Sequence, residues 1–308
     1  MNGGKIIKIA LYGMYSDYKD SLLPRIINLI GYKIKYTDIY SCDLMVIGPK
    51  ICQYKYRAYL KILKNFYLYS RAYKPMTLFH TYENIRSNYF NADYTISHDL
   101  IVSKDNHYRF PYWMEFIDWS GEGLVGNKNI RFGDLYGIDQ LMHPLGDVFL
   151  KKRRRAAFFA SHIHEPRETF IRNLNGIIDI DGYGPYYNTN HKSHNDSGIL
   201  KKQVLTSYAF NLCPENSIYP GYYTEKIPDA YSACTLPISW ADSNVSIDFN
   251  EKSFINLNNF YSENGLIELK EILVSDQKLS EYGKNPLIIK KPSIKPFIKF
   301  IAQIINNI

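Results

Sequence analysis

The feature that most constrains this chain is its alternation of short apolar runs with longer amphipathic ones. IIKIALYG reads as a strand, LLPRIINLIGY as a helix and DLMVIGP as a strand. RAYLKILKNFYLYSR follows as a helix, MTLFHTYEN as a strand running into a polar loop, and ADYTISHD as a further short strand. A helix between two strands carries the chain back to the edge where it began, so successive strands pair in parallel. The expected product is a parallel sheet covered by helices.

The rhythm weakens between Phe116 and Leu150, where Gly, Asp and Asn are frequent, and a basic run, KKRRR, fills 151–155. It then restarts. RAAFFASH, GIIDIDGYG, YAFNLCP, TLPISW and SFINLN read as strands, and EPRETFIRNLN, ILKKQVL and TEKIPDAYSA as helices. The break predicts a boundary near residue 150: one βα domain over 1–150, a second over 151–285, and a basic amphipathic tail over 286–308. A chain of 308 residues is long enough for two cores. With 45% hydrophobic and 22% charged residues, it has a globular composition and not a disordered one.

A formal net charge of +7 favours anionic partners such as nucleotide diphosphates, membrane surfaces or nucleic acid. The 28 tyrosines suit sugar rings and bases, although many serve a core equally well. Cys42, Cys52, Cys213 and Cys234 form no CxxC pair, which indicates neither a zinc site nor a disulfide framework, and buried reduced thiols in a cytoplasmic protein are expected. No run approaches the roughly 18 apolar residues of a membrane span. KIIKIALYGMY is interrupted by Lys8 and lacks a small-residue cleavage site, so it reads as a first strand and not a signal peptide.

Several motifs invite chemistry. GEGLVG, at 121–126, matches GxGxxG but has no strand before it or helix after it, so it reads as a loop. DID, Asp179 to Asp181, could hold a divalent cation against a diphosphate, although Asp181 before GYG also suits a turn. His162 and His164 have no third ligand nearby and read as a loop before a helix. KKRRR lacks the aromatic or Gly-rich surroundings of an RNA-binding pattern, which leaves a solvated linker or an attachment to acidic lipid.

The richest stretch is ENSIYPGYYTEKIPDAYSACTLP, Glu215 to Pro237. It begins where the strand YAFNLCP ends, at the carboxyl edge of the expected sheet, and open α/β sheets bind ligands at that edge. Gly221 permits a tight bend. Thr224 is placed to N-cap a helix whose first turn carries Glu225 and Lys226, a setting for an anionic phosphate. Glu225 could accept from ribose hydroxyls, with Asn216 and Tyr222 as further polar contacts.

FNLCPENS, GYYTEKIPDAY, TLPISW and DFNEKSFIN, in this order over Phe210 to Asn256, resemble the bacterial α1,3/4-fucosyltransferases that use GDP-fucose. The likeness extends to RAAFFASHIHEPRETFIRNLN, to LFHTYENIRSNYFNADYTISHD and to SEYGKNPL; the first 70 residues share only the rhythm. The resemblance implies a GT-B fold, two Rossmann-like domains facing each other across a cleft, and inversion at the sugar carbon. It implies donor-binding residues at Arg167, Asn216, Tyr222, Glu225 and Lys226, and a catalytic base at Glu83, in TYEN. Tyr82 stands where the family's TGEN-like sequence has glycine, and Pro214 and Pro220 depart from the bacterial pattern. No cofactor or catalytic metal is implied, a divalent ion being at most stimulatory.

The partners implied are GDP-fucose and a glycan acceptor such as an N-acetyllactosamine-type, lipopolysaccharide or lipid-linked chain, joined by an α1,3 or α1,4 linkage. The tail's Lys290, Lys291, Lys295 and Lys299, among Ile288, Ile289, Phe297, Phe300 and Ile301, fit either a peripheral contact with an anionic inner-membrane surface or a helix packed on the protein. Nucleic acid is not expected. Two alternatives stay open: a transferase of another GDP-linked deoxy sugar, and a non-catalytic nucleotide- or glycan-binding module. Against the second, Glu83, Arg167 and Lys226 are all present.

Overall fold

The computed structural model describes residues 5–52, 74–187 and 200–308. The chain divides into two compact units. The first comprises Met1–Glu115, Trp119–Asn127 and Ser293–Ile308, and the second Phe116–Asp118 and Lys128–Pro292. The main division thus falls at 127/128 and not near 150, because the irregular Gly- and Asp-rich segment from 128 packs with the second sheet. The expected helix RAYLKILKNFYLYSR lies outside the described residues.

In the first unit the strands are β1 (Lys5–Tyr12), β2 (Tyr32–Tyr36), β3 (Leu44–Ile47), β4 (Met76–His80), β5 (Tyr94–Ser97) and β6 (His107–Arg109). They form one sheet in the order β2-β1-β3-β4-β5-β6, every pair parallel. In β3 the sequence LMVI is buried throughout, as a central strand covered on both faces requires. β2, YKIKY, exposes its two lysines along an edge. Neither β2 nor β6 was expected from the sequence; one alternates lysines with larger residues and the other has three residues, so neither shows an apolar run.

Helix α1 (Leu22–Leu29) buries Leu22, Leu23, Ile26 and Ile27. The C-terminal helix, Lys295–Asn306, also belongs to this unit and packs on α1. It buries Phe297, Phe300, Ile301, Ile304 and Ile305, a stripe at helical spacing. Phe297 stacks on Phe110 at 4.2 Å, and Phe300 meets the Tyr94 ring edge-on at 5.9 Å. The tail is therefore not a separate segment: Ser293–Ile308 is part of the first unit, and the residues before it, through Pro292, belong to the second. Of the five apolar side chains that a membrane contact would use, only Ile289 is exposed.

The second unit carries β7 (Arg153–Phe159), β8 (Ile180–Tyr183), β9 (Tyr208–Leu212), β10 (Leu236–Ser239) and β11 (Ile255–Asn256), again all parallel, in the order β11-β10-β9-β7-β8. Its helices include α2 (Ile138–Leu141), α3 (Arg167–Leu174), α4 (Lys201–Leu205), α5 (Lys226–Ser232), α6 (Glu263–Val274) and α7 (Asp276–Gly283). β9 is buried at every position.

Two sequence readings are corrected here. KKRRR is neither a linker nor a lipid anchor, since its arginines open β7. Arg154 bonds Asp276 and donates to the Leu273 carbonyl at 3.0 Å, and Lys152 donates to the Ala233 carbonyl at 2.7 Å. Arg155 takes up both carboxylates of DID, reaching Asp179 at 2.6 Å and Asp181 at 2.5 and 2.9 Å, while Tyr208 also donates to Asp181. The acidic triplet and the basic run thus bind each other across neighbouring strands. Among the described residues no group of three His, Cys, Asp or Glu side chains is arranged to hold a metal.

Candidate active site

In the second sheet, β7 lies between β8 and β9, so the chain turns in opposite directions after β7 and after β9. That topological switch point opens a crevice at the carboxyl ends of the strands, where such sheets bind ligands. The segment after β7 leads to Arg167, the first residue of α3, and the segment after β9 carries Glu215 to Lys226. All five residues expected on the donor side occupy these two connections.

The two connections are tied together. The Arg167 guanidinium bonds the Asn216 side-chain oxygen and donates to the Pro214 carbonyl at 3.4 Å. Burial pulls the Arg167 pKa down, with Glu215, Tyr222 and Glu225 opposing the shift. Arg167 is 7% exposed, and its Nε finds no partner within the described residues. A buried guanidinium with an unused N–H is a donor in wait for an acceptor.

Lys226 is held by a residue that was not singled out from the sequence. Glu215, 2% exposed, accepts from Lys226 Nζ at 2.8 Å, from the Thr224 backbone N–H at 2.8 Å and from the Thr224 hydroxyl at 2.8 Å. Burial alone would lower the Lys226 pKa, but Glu215 and Glu225 outweigh it and hold the ammonium charged, above the usual lysine range. Glu225 lies 4.0 Å from the same ammonium. Burial opposes its charge too, yet Lys226 and Lys201 bring its pKa below the ordinary carboxylate value.

Thr224 was expected to cap the following helix. The N-cap is instead Glu225, and the Thr224 hydroxyl serves Glu215, because a buried carboxylate is the stronger acceptor. Gly221 adopts φ +90°, the bend expected of it. Tyr222 is buried beside it. Beneath α5, Lys201 pairs with Asp229 at 2.7 Å, and Tyr136 donates to the same carboxylate at 2.6 Å. This buried set fixes the helix that carries Lys226.

In the first unit the order reverses between β1 and β3. A Cβ on Gly48 would lie 2.6 Å from the Gly13 carbonyl oxygen, so only glycine lets the loops after these strands approach so closely. Tyr15 lies in the loop after β1, and Lys50, in the turn after β3, sits over its ring at 4.8 Å. Glu83 follows β4, next to β3, and accepts from the Tyr15 hydroxyl at 2.7 Å. Its backbone N–H is held by the Thr81 hydroxyl at 3.1 Å. The predicted base is therefore a half-buried, oriented carboxylate at the carboxyl edge of the first sheet.

Beside it lies a buried polar cluster. Tyr82 donates to Glu115 at 2.7 Å, Glu115 also accepts from the Leu22 backbone N–H at 2.6 Å, and Tyr18 bonds His80 at 2.5 Å. Burial lifts Glu115 to a pKa of about 7 and drops His80 to about 3. Glu115 is 93 residues from Leu22 and 33 from Tyr82, and Tyr18 is 62 from His80. No spacing in the sequence could have brought them together.

Two all-parallel sheets with a basic site at the switch point of the second give an α/β fold of the GT-B type. Residues 149–284 match the family Glycosyltransferase family 10 (fucosyltransferase) C-term. The likeness read from the sequence is thus shown, and the matched segment holds Arg167, Asn216, Tyr222, Glu225 and Lys226. The Alpha-(1,3)-fucosyltransferase FucT of Helicobacter pylori is 29% identical over 256 residues, which is 75% of this chain and 53% of that protein. This chain therefore spans about half the length of that curated relative. Among solved structures, an alpha1,3-fucosyltransferase has a TM-score of 0.71 at 26% identity, covering 99% of this chain and 91% of its own. The same holds for an alpha1,3-fucosyltransferase with GDP, with 92% of that chain covered.

Proposed function

We propose that this protein transfers fucose from GDP-fucose to a hydroxyl of a glycan acceptor, inverting the sugar carbon and forming an α1,3 or α1,4 linkage. The observation that carries the reading is the pair of charged groups at the second sheet's switch point, the buried Arg167 with its unused N–H and the half-buried Lys226 on its carboxylate mount. A relative of similar fold is described with GDP. As the sugar leaves, negative charge accumulates on the diphosphate and an oxocarbenium-like centre develops at C1. Arg167 and Lys226 are the groups that would stabilise that charge, one bidentate and one as a point charge. Tyr222, Asn216 and Glu225 contact the nucleotide, with Glu225 accepting from ribose.

Inversion is a single displacement and needs one base. Glu83, oriented by Tyr15, accepts the acceptor's proton. The mechanism calls for no metal. Where the protein meets a membrane at all, it does so through the exposed lysines near 290–299.

The test is a donor screen. GDP at about a hundred times its dissociation constant contributes about 2.7 kcal/mol to stability, visible as a rise in Tm. GDP raises Tm and UDP does not; equal shifts would remove the fucosyltransferase reading. Arg167→Ala and Lys226→Ala each weaken GDP binding, because each deletes a charge-assisted contact.

A further inference from the structure

Tyr15, Tyr18, Tyr82, Tyr112, His80, Glu83 and Glu115 gather at the carboxyl end of β4, and the proposed chemistry uses only Glu83 and Tyr15. Tyr18, His80 and Glu115 are buried, whereas Tyr82 and Tyr112 are half-buried like Glu83. Glu115 is 6% exposed and His80 fully buried. The Tyr82 ring packs on His80 at 4.5 Å and on Tyr112 at 4.6 Å, and its hydroxyl ends on Glu115. Tyr82 is the residue immediately before Glu83, in a stretch with neither helical nor strand structure.

We propose that Tyr82 and Glu115 brace the loop that carries Glu83, making Glu115 a positioning residue for the transfer reaction. This rests on Glu83 being the base. The reasoning is geometric. A carboxylate on irregular backbone keeps its place only through the bonds of its neighbours. The Glu83 carboxylate is held by the Tyr15 hydroxyl alone among the described residues, while its backbone is tied to Thr81 and to the Ile85 N–H. Tyr82 adds a further anchor to the loop, and Glu115 joins it to the first N–H of α1, a helix-terminal donor with no partner inside its own helix. One carboxyl group thus ties together the base loop, the Tyr112–Phe116 turn and the start of α1.

The brace also senses pH. Glu115 faces Leu22 N–H and Arg25 from α1, Asp17 and Tyr18 from the preceding turn and Tyr82 from the base loop, with His80 and Tyr112 packed on the Tyr82 ring. Burial raises its pKa to about 7, against the bonds from Tyr82 and Leu22 and the charge of Arg25, with Asp17 adding to the rise. The ionised form makes the stronger, charge-assisted bond to Tyr82. Turnover therefore gains as Glu115 ionises through neutral pH.

The experiment compares Tyr82→Phe, Glu115→Ala, Glu115→Gln and Glu83→Gln with the unmodified chain, measuring kcat per folded molecule from pH 5.5 to 8.5 (about the span Glu115 titrates over), together with GDP affinity. A misplacement of about 1 Å costs up to about a hundredfold in rate. Tyr82→Phe and Glu115→Ala therefore lower kcat roughly ten- to hundredfold with GDP affinity unchanged. Glu115→Gln, which keeps an oxygen and an N–H but never ionises, recovers part of that loss and lacks the inflection near neutral pH. Normal kcat in Tyr82→Phe beside an inactive Glu83→Gln overturns the brace alone. Normal kcat in Glu83→Gln overturns the base assignment and the brace with it. Should Glu115→Ala fail to fold, Tyr82→Phe decides the matter.

Discussion

Glu215→Gln is the perturbation whose effect can be worked most fully from the structure. The substitution keeps an oxygen for the two Thr224 donors but removes the charge that faces Lys226 at 2.8 Å. Deleting one partner of a buried ion pair costs about 3–5 kcal/mol, because the remaining charge stays desolvated. Two features reduce that figure. The Lys226 side chain is 18% exposed, and Glu225 remains 4.0 Å from its ammonium. A pair at that distance still interacts by about 4 kcal/mol at an effective dielectric near 20, before desolvation. A net loss of about 2 kcal/mol remains, or roughly 4–8 °C in Tm at about 2–4 °C per kcal/mol.

A bound diphosphate would return the missing negative charge. The rise in Tm on adding GDP is therefore at least as large in Glu215→Gln as in the unmodified protein, and small in Lys226→Ala. Differential scanning fluorimetry with and without GDP reads both quantities. An unchanged Tm would refute the claim that the pair is a buried electrostatic unit. A GDP shift lost as completely as in Lys226→Ala would refute the claim that the phosphate substitutes for Glu215.

Glu115 has a folded pKa of about 7 against an ordinary 4.5, so its share of stability is complete below about 4.5 and is lost as pH rises through 7. Glu115→Gln thus gains on the unmodified protein across that window, by at most about 3 kcal/mol, in urea unfolding at fixed pH steps; a constant difference would contradict the assignment. Replacing Asp179 and Asp181 by Asn frees Arg155 and lowers Tm, yet transfer persists in it and in unmodified protein treated with EDTA. Loss of transfer to EDTA alone would call for a metal. Removing 295–306 exposes the core that its five buried apolar residues cover, each worth about 1.5–3 kcal/mol when fully buried, so the truncated chain unfolds. The membrane question is better put by changing Lys290, Lys291, Lys295 and Lys299 to Glu. This abolishes sedimentation with anionic vesicles at low salt if the basic face carries it, and unaltered sedimentation would place the contact elsewhere.

The alternation of elements was legible because a strand buried on both faces leaves an apolar run, as LMVI does in β3 and YAFNL in β9. What hid was what lacks such a run: the lysine-laced edge strand β2, the three-residue β6, and the helices α6 and α7 behind the last strand. The residues expected on the donor side stood out in the sequence as a group, since all but Arg167 lie within one connection. Glu215 stood in the same stretch, but only burial distinguishes a carboxylate that mounts a lysine from one that faces water. The DID triplet offered a metal reading and KKRRR a linker or lipid one because each carries charges suited to a ligand, and in the fold each answers the other across adjacent strands. The cluster around Glu83 could not be read at all, being assembled from the loop after β1, the end of β4 and the Tyr112–Phe116 turn.

The most direct test of the central claim is transfer itself, with purified protein, GDP-fucose and an N-acetyllactosamine-type acceptor, the product followed by mass spectrometry. The protein adds one deoxyhexose to the acceptor and releases GDP. Glu83→Gln lowers the rate roughly a hundredfold to ten-thousandfold, the usual worth of a general base, with GDP affinity kept. Lys226→Ala loses GDP affinity. Turnover that survives Glu83→Gln unchanged, or GDP binding that is unaffected by Lys226→Ala, would contradict the account.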